Sequence, residues 1–400
     1  MSDFTQKQRD AQYRLAKEAQ IIFRDCITSA MAGQLDKLED TMSGFLKANA
    51  DATAVDMIIG FQSEGRTLLH VAASSGHAHI VDYLLSKLPA ATQATAINTP
   101  DDRGFTPLLN AVISENDTVL TKLISLGGDV RMVNKDKAGC CHFAAGDGCV
   151  PRLRLLAAAG ADCTLPSLTG GTPLHWAAGK ARSEAIKYLL SLRPAVPIDI
   201  DSTAGTGVPA VVMAASTSCD AGTAALVQAG ADTGAILSGN LTVLHICAEH
   251  NLLTAAAAML VTPTGLRCAL QDTDDGNRPV HMAAMVGHRE MVELLLPASG
   301  DVGSGGVDAL LADGVGRLAK WESAHGNAQG KATDADNGHP SSTSTSVSIA
   351  AAAAVVPRST RTLEPITAAS SPEAAMQAGA VKGTRPPAIT YTYAIYIMYK

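Results

Sequence analysis

The run GGTPLHWAAGK at 170–180 sets His175 directly before Trp176, a pairing that could serve as a general base beside a ring on which a substrate stacks. Cys140, Cys141, His142 and Cys149 supply the residue types of a zinc site. Adjacent cysteines are poor joint ligands and no Cys-x2-Cys pair accompanies them, so small core residues are the better reading. QDTDDGN at 271–277 carries the acidic residues and Gly of a calcium loop. Its Gly comes one place early, and Ala283 stands where the closing Glu belongs, which leaves a surface turn. The glycines of 300–306 follow no strand and precede no Lys-Ser or Lys-Thr, against a phosphate cradle. No cofactor and no metal is expected.

The elements that hold His175 explain it better than catalysis does. Leu-His-x-Ala-Ala occurs at 69–73 and 174–178, and in worn form at 141–145, 244–248 and 280–284. Two further copies, 108–112 and 211–215, have lost the His. The equivalent positions are 70, 109, 142, 175, 212, 245 and 281, so the successive steps are 39, 33, 33, 37, 33 and 36 residues. No Ser, Cys or carboxylate recurs at a fixed distance from these imidazoles, as a catalytic set would require. The His is therefore read as bonding backbone between neighbouring loops, with the following residue packed inward. The enzyme reading is set aside.

Each unit has the parts of a helix pair. A Thr opens the first helix and Pro follows in its first turn. The Ala pair admits a close neighbour, a Gly such as Gly76 or Gly287 ends the helix, and a Leu-rich second helix follows. Asp-Gly or Gly-Asn turns precede the next signature. A period of ~33 residues with Thr-Pro-Leu-His identifies the chain as a member of the ankyrin-repeat superfamily. The fold class expected is all-α: a solenoid of stacked helix-turn-helix units with projecting turns.

Domain organisation follows. Residues 1–19 read as an N-terminal extension and 20–298 as the repeat domain, a degenerate cap plus seven repeats. Residues 299–322 read as a linker and a short helix, with Leu310, Leu311, Leu318 and Trp321 on one side, and 323–400 as a disordered low-complexity tail. The extra residues at 88–99 and 193–206 are expected as longer loops.

The formal net charge of −7 argues against nucleic acid as the main partner. The start of the chain lacks the apolar stretch of a secretory leader. Eight cysteines without a regular framework point to reduced thiols in the cytosol or nucleus. No run is long enough to span a membrane. The expected partner is another protein, and the chain is expected to be monomeric.

The last unit, DDGNRPVHMAAMVGHREMVELLLP followed by VDALLADGVGRLAKWES, resembles the end of the array in plant-type proteins that join ankyrin repeats to C-terminal tetratricopeptide repeats. That resemblance implies an adaptor linked to chaperones or targeting. Residues 324–400 carry no such helical pairs, so chaperone binding is not carried over; a longer product would place them after residue 320.

An ankyrin stack grips proteins with turn tips and first helices. The partner-binding candidates are Arg66, Ser74, Ser75, Phe105, Ile113, Ser114, Lys180, Leu241, His250, Asn277 and Met285, read as exposed groove positions, with Arg103, Lys135, Lys137 and Asp275 on the tips. Simple solvation is the alternative for each.

Overall fold

The computed structural model of the chain describes residues 20–300, apart from 50, 51, 61, 194, 197, 204 and 205, together with 306–325, whose side chains are described to residue 319. The expected extension at 1–19 and tail beyond 325 lie outside the described residues. Among the described residues there are helices and isolated bridges but no strand. They fall into two compact units that divide after Thr233.

The first unit opens with α1 (20–31) and α2 (Leu35–Ala48), the degenerate pair read as a cap, turning at Gly33. His77 and His79 reach back to it, with Nε2 of each 3.0 Å from the Met31 and Gly33 carbonyls respectively. Repeats then follow as first and second helices: α3 (Leu68–Ser74) with α4 (Ala78–Ser86), α6 (Pro107–Ile113) with α7 (Asp117–Ser125), α8 (Cys140–Asp147) with α9 (Val150–Ala158), α10 (Pro173–Gly179) with α11 (Ser183–Ser191), and α12 (Ala210–Ser216) with α13 (Asp220–Gln228). Between α4 and α6 lies α5 (Ala90–Asn98). The second unit holds α14 (Val243–Glu249), α15 (Leu253–Leu260), α16 (Pro263–Ala269), α17 (Pro279–Val286), α18 (Arg289–Ser299) and α19 (Gly306–His325).

First helices stack on first helices, α3 on α6, α6 on α8, α8 on α10 and α10 on α12, and in the second unit α14 on α17. The Ala pairs make this possible: Ala72, Ala73, Ala144, Ala145, Ala177, Ala178, Ala214 and Ala215 have no exposed surface. Second helices pack through branched apolar stripes such as Ile80, Val81 and Leu84, or Val119, Leu120 and Leu123, all wholly buried. Each such side chain stabilises the stack by roughly 1.5–3 kcal/mol.

The turn between the two helices of a repeat uses a left-handed residue at 76, 115, 148, 181, 218, 251 and 287. These positions repeat with the same steps as the signature His. Gly76, Gly148 and Gly287 satisfy that backbone without strain, but Glu115, Ala181, Ser218 and Asn251 hold φ between 54° and 58°, a conformation that costs a residue with a Cβ about 1–2 kcal/mol. The repeat geometry therefore overrides local preference at four turns.

One expectation is corrected. Residues 88–99 are not a loop: Ala90–Asn98 is a helix that buries Ala96 and Ile97 against the stack. Four alanines with Gln and Ile suffice once an apolar edge is available. In the second unit α16 is likewise an added helix, begun by Thr262, whose hydroxyl accepts the Gly265 N–H at 3.0 Å.

Candidate functional site

The signature histidines carry the most distinctive side-chain chemistry, and their hydrogen bonds define what they do. The backbone N–H three residues earlier donates to Nδ1 in every case: from Thr67 to His70 (3.1 Å), Gly139 to His142 (3.0 Å), Thr172 to His175 (3.3 Å), Thr242 to His245 (3.1 Å) and Arg278 to His281 (3.1 Å). An amide can only donate, so Nδ1 must present its lone pair. Nε2–H then donates to the next repeat: His70 to the Phe105 carbonyl at 2.9 Å, His175 to Val208 at 3.1 Å and His245 to Asn277 at 3.2 Å. His70, His175 and His245 are thus neutral imidazoles with both nitrogens engaged, each clamping its own helix start to the following turn, whereas the buried Nε2 of His142 has no hydrogen-bond partner among the described residues. Burial lowers the pKa of all four resolved rings, His70 and His175 in direction and His142 and His245 down to about 4. A base whose lone pair is spent on backbone cannot take a substrate proton.

The turn tips form a second ladder. The Glu64 carbonyl accepts from Asp102 N at 3.1 Å, Arg103 O from Lys135 N at 3.0 Å and Asp136 O from Leu168 N at 2.8 Å; in the second unit Gly239 O accepts from Asp274 N at 3.1 Å. Gly65 and Gly104 sit where this contact leaves no room, since an added Cβ would strike the backbone of the next tip.

The cysteines sit on ordinary repeat positions. Cys140 and Cys141 open α8 and are buried, and Cys149 precedes α9. Cys141 faces Cys163, with sulfurs 2.8 Å apart. Among the described residues no group of three or more His, Cys, Asp or Glu could hold a metal. Segment 271–277 is a turn tip, in which Asp272 takes Arg278 Nε at 3.2 Å.

The first unit brings several candidates together. Arg103 lies over the Phe105 ring at 5.3 Å. Phe105 meets Phe143 at 5.9 Å, and Phe143 meets Trp176 at 5.3 Å, edge to face. All three rings are half-buried, so one side stays open. The double Gly of the opening motif serves this ladder: a Cβ on Gly170 would collide with the Trp176 indole nitrogen. Arg103, Lys135, Lys137 and Lys180 are exposed around it, as are Ile113 and Ser114; Arg66, Ser74 and Ser75 are half-buried. Glu64, Asp102, Glu115 and Asp136 are exposed on the same tips and helix ends, so the surface is charge-mixed rather than basic.

Phe143 and Trp176 were missed as surface residues, because the position after the signature His was read as inward. Val71, Ile246 and Met282 obey that reading; the two aromatic side chains are half-buried instead, Phe143 against Phe105 and Trp176 against Phe143. Their size, in a chain with 4% aromatic residues, was the available signal.

In the second unit Leu241 and His250 are half-buried and Asp275 exposed. Asn277 and Met285 are corrections: they are 8% and 4% exposed. Helix α19 lies on α17, Arg317 Nη1 donates to Asn277 Oδ1 at 3.0 Å, and Gly314 presses on the backbone of Ala284 and Met285. Both residues are thus removed from any open groove.

Comparison with known proteins agrees with this geometry. The family model described as "Ankyrin repeats (3 copies)" matches residues 30–134, 109–204 and 211–305. The chain belongs to the ankyrin-repeat family. It is similar to an L-asparaginase of Dirofilaria immitis, 34% identical over 140 residues, covering 34% of this chain and 22% of that protein. It is similar to the B-cell lymphoma 3 protein homolog of Mus musculus, 25% identical over 209 residues, covering 51% and 46%. It is also similar to the mouse NF-kappa-B inhibitor delta, 26% identical over 242 residues, covering 60% and 68%. The chain thus spans less than half the length of the first two relatives. As an ankyrin-repeat protein it is a protein–protein interaction module. No described helix is long and apolar enough to cross a membrane.

Proposed function

We propose that the chain is a scaffold or adaptor that grips a partner protein on the turn tips and first helices of its repeats. The observation that carries this reading is the half-open ladder Phe105–Phe143–Trp176 beneath Arg103. Aromatic and Arg side chains are enriched at protein interfaces, while the recurring histidines spend their Nδ1 lone pairs on their own helix starts. The mixed charges around the ladder favour a partner matched pair by pair rather than a polyanion. The likeness to a protein named as an inhibitor of NF-kappa-B supports a protein as the target class. The cytosol or nucleus, where the thiols stay reduced, is the compartment that suits it.

The test is site-directed photo-crosslinking of the full chain in cells. A crosslinking residue at Ile113, on the first-helix face, is expected to trap a partner, and one at Thr121, exposed on second helix α7, is expected not to. Capture at Thr121 with none at Ile113 would overturn the assignment.

A further inference from the structure

Cys141 and Cys163 stand apart from the other cysteines. Their sulfurs are 2.8 Å apart, although they come from different elements: Cys141 from the first turn of α8, Cys163 from the segment after α9. Bond formation asks them to close by less than about 1 Å, to a bond of about 2 Å. Cys163 also lines a cleft of about 720 Å³ on the second-helix side, with Arg131, Arg154, Asp162, Tyr188 and Leu192. Arg154 stacks on the Tyr188 ring at 4.8 Å and Arg131 Nε donates to the Gly160 carbonyl at 3.3 Å, so two guanidinium groups are fixed at its edge.

We propose that Cys141 and Cys163 form a peroxide-sensitive dithiol that closes to a disulfide, with Cys163 as the sulfur that meets the oxidant and Cys141 as the one that resolves it. The Cys163 sulfur attacks one oxygen of hydrogen peroxide. The O–O bond breaks, the leaving oxygen takes the thiol proton to become water, and Cys163 is left as a sulfenic acid. The Cys141 sulfur then attacks the Cys163 sulfur; the S–O bond breaks, and the departing hydroxide takes the Cys141 proton to become a second water. Two thiols lose two electrons in all, and one peroxide becomes two waters.

The electrostatics favour this division of roles. The hydrogen bond from Cys141 lowers the Cys163 pKa, while the same bond and burial raise that of Cys141. A thiolate is the nucleophile, so the first attack belongs to Cys163. Burial instead pushes Cys26 and Cys140 up to about 12, which keeps both protonated and slow. The bond would tie the start of α8 to the strap that leads into the 167–171 turn beneath Trp176, and it does not depend on which partner the ladder binds.

The experiment uses the full chain, reduced and then exposed to hydrogen peroxide, with free thiols alkylated and tryptic peptides mapped. The expected product joins peptide 138–152 to peptide 155–180, lighter by two hydrogens and released by dithiothreitol. It should be lost in Cys163→Ala and Cys141→Ala and retained in Cys140→Ala and Cys149→Ala, with far-UV circular dichroism confirming that each variant is folded. In wild type, Cys163 should lose its reactivity to alkylation about tenfold faster than Cys26 or Cys140. Cys141 and Cys163 remaining alkylatable after peroxide, or a linked pair that survives Cys141→Ala, would overturn the proposal. The wild-type map decides the matter even if a variant fails to fold.

Discussion

At the scale of single residues, the signature His is a neutral connector, and this predicts a pH dependence. Its Nδ1 lone pair is occupied by a backbone N–H in every copy, so protonation must break the Nδ1 bond inside a dry site. The unfolded imidazole titrates near ~6.5, whereas His142 and His245 are held down to about 4, chiefly by burial. Below ~6.5 the unfolded chain takes up protons that the folded rings refuse, so stability is full above that pH and falls as pH drops toward about 4. Each of these two rings contributes at most about 3 kcal/mol to the loss. Asp147 and Glu249, raised by burial, act in the opposite sense, two groups against four lowered signature rings. Urea midpoints are expected to drop between pH 7.5 and pH 5, with a shallower drop in His245→Leu; a flat profile would exclude the neutral-connector role. The role itself was legible in the sequence, because an imidazole that recurs with the repeat and without a chemical partner can only serve the repeat. The tautomer and its partners were not legible, since the acceptors lie 32 to 35 residues away.

At the scale of elements, the helix pairs were legible from Thr-Pro, the Ala pair and the Leu stripes, because those signals are local. What was not legible was set by packing at a distance. Helix α5 hides in an Ala- and Thr-rich stretch that looks like a loop until the stack offers it an apolar edge. The seat of helix α19 is of this kind: nothing local says that it lies on α17, with Arg317 on Asn277 and Gly314 against Met285. Gly314 sets how closely α19 approaches, since a side chain there meets the Ala284 and Met285 backbone at once. Gly314→Leu is therefore expected to lift α19 and expose Met285. Hydrogen exchange in 279–286 should quicken, and global stability should fall by about 1–3 kcal/mol, the usual penalty of overpacking. Unchanged exchange in that segment would show that α19 does not depend on the close contact.

At the scale of the whole molecule, the proposed binding surface is the turn tips and first helices, and the second helices serve the stack. The ladder Phe105–Phe143–Trp176 gives that surface rigid apolar area, and Arg103 and Lys180 give it charged edges. The most direct test is calorimetric titration of the captured partner into the full chain and into an Arg103→Glu, Phe105→Ala, Lys180→Glu variant, with Glu184→Ala, Lys187→Ala on the second helix α11 as control. The first variant is expected to bind with at least about a 30-fold weaker Kd, a loss of about 2 kcal/mol, the control with an unchanged Kd, and all three chains are expected to share the same helical circular dichroism. Equal affinity of the folded ladder variant and wild type would contradict it.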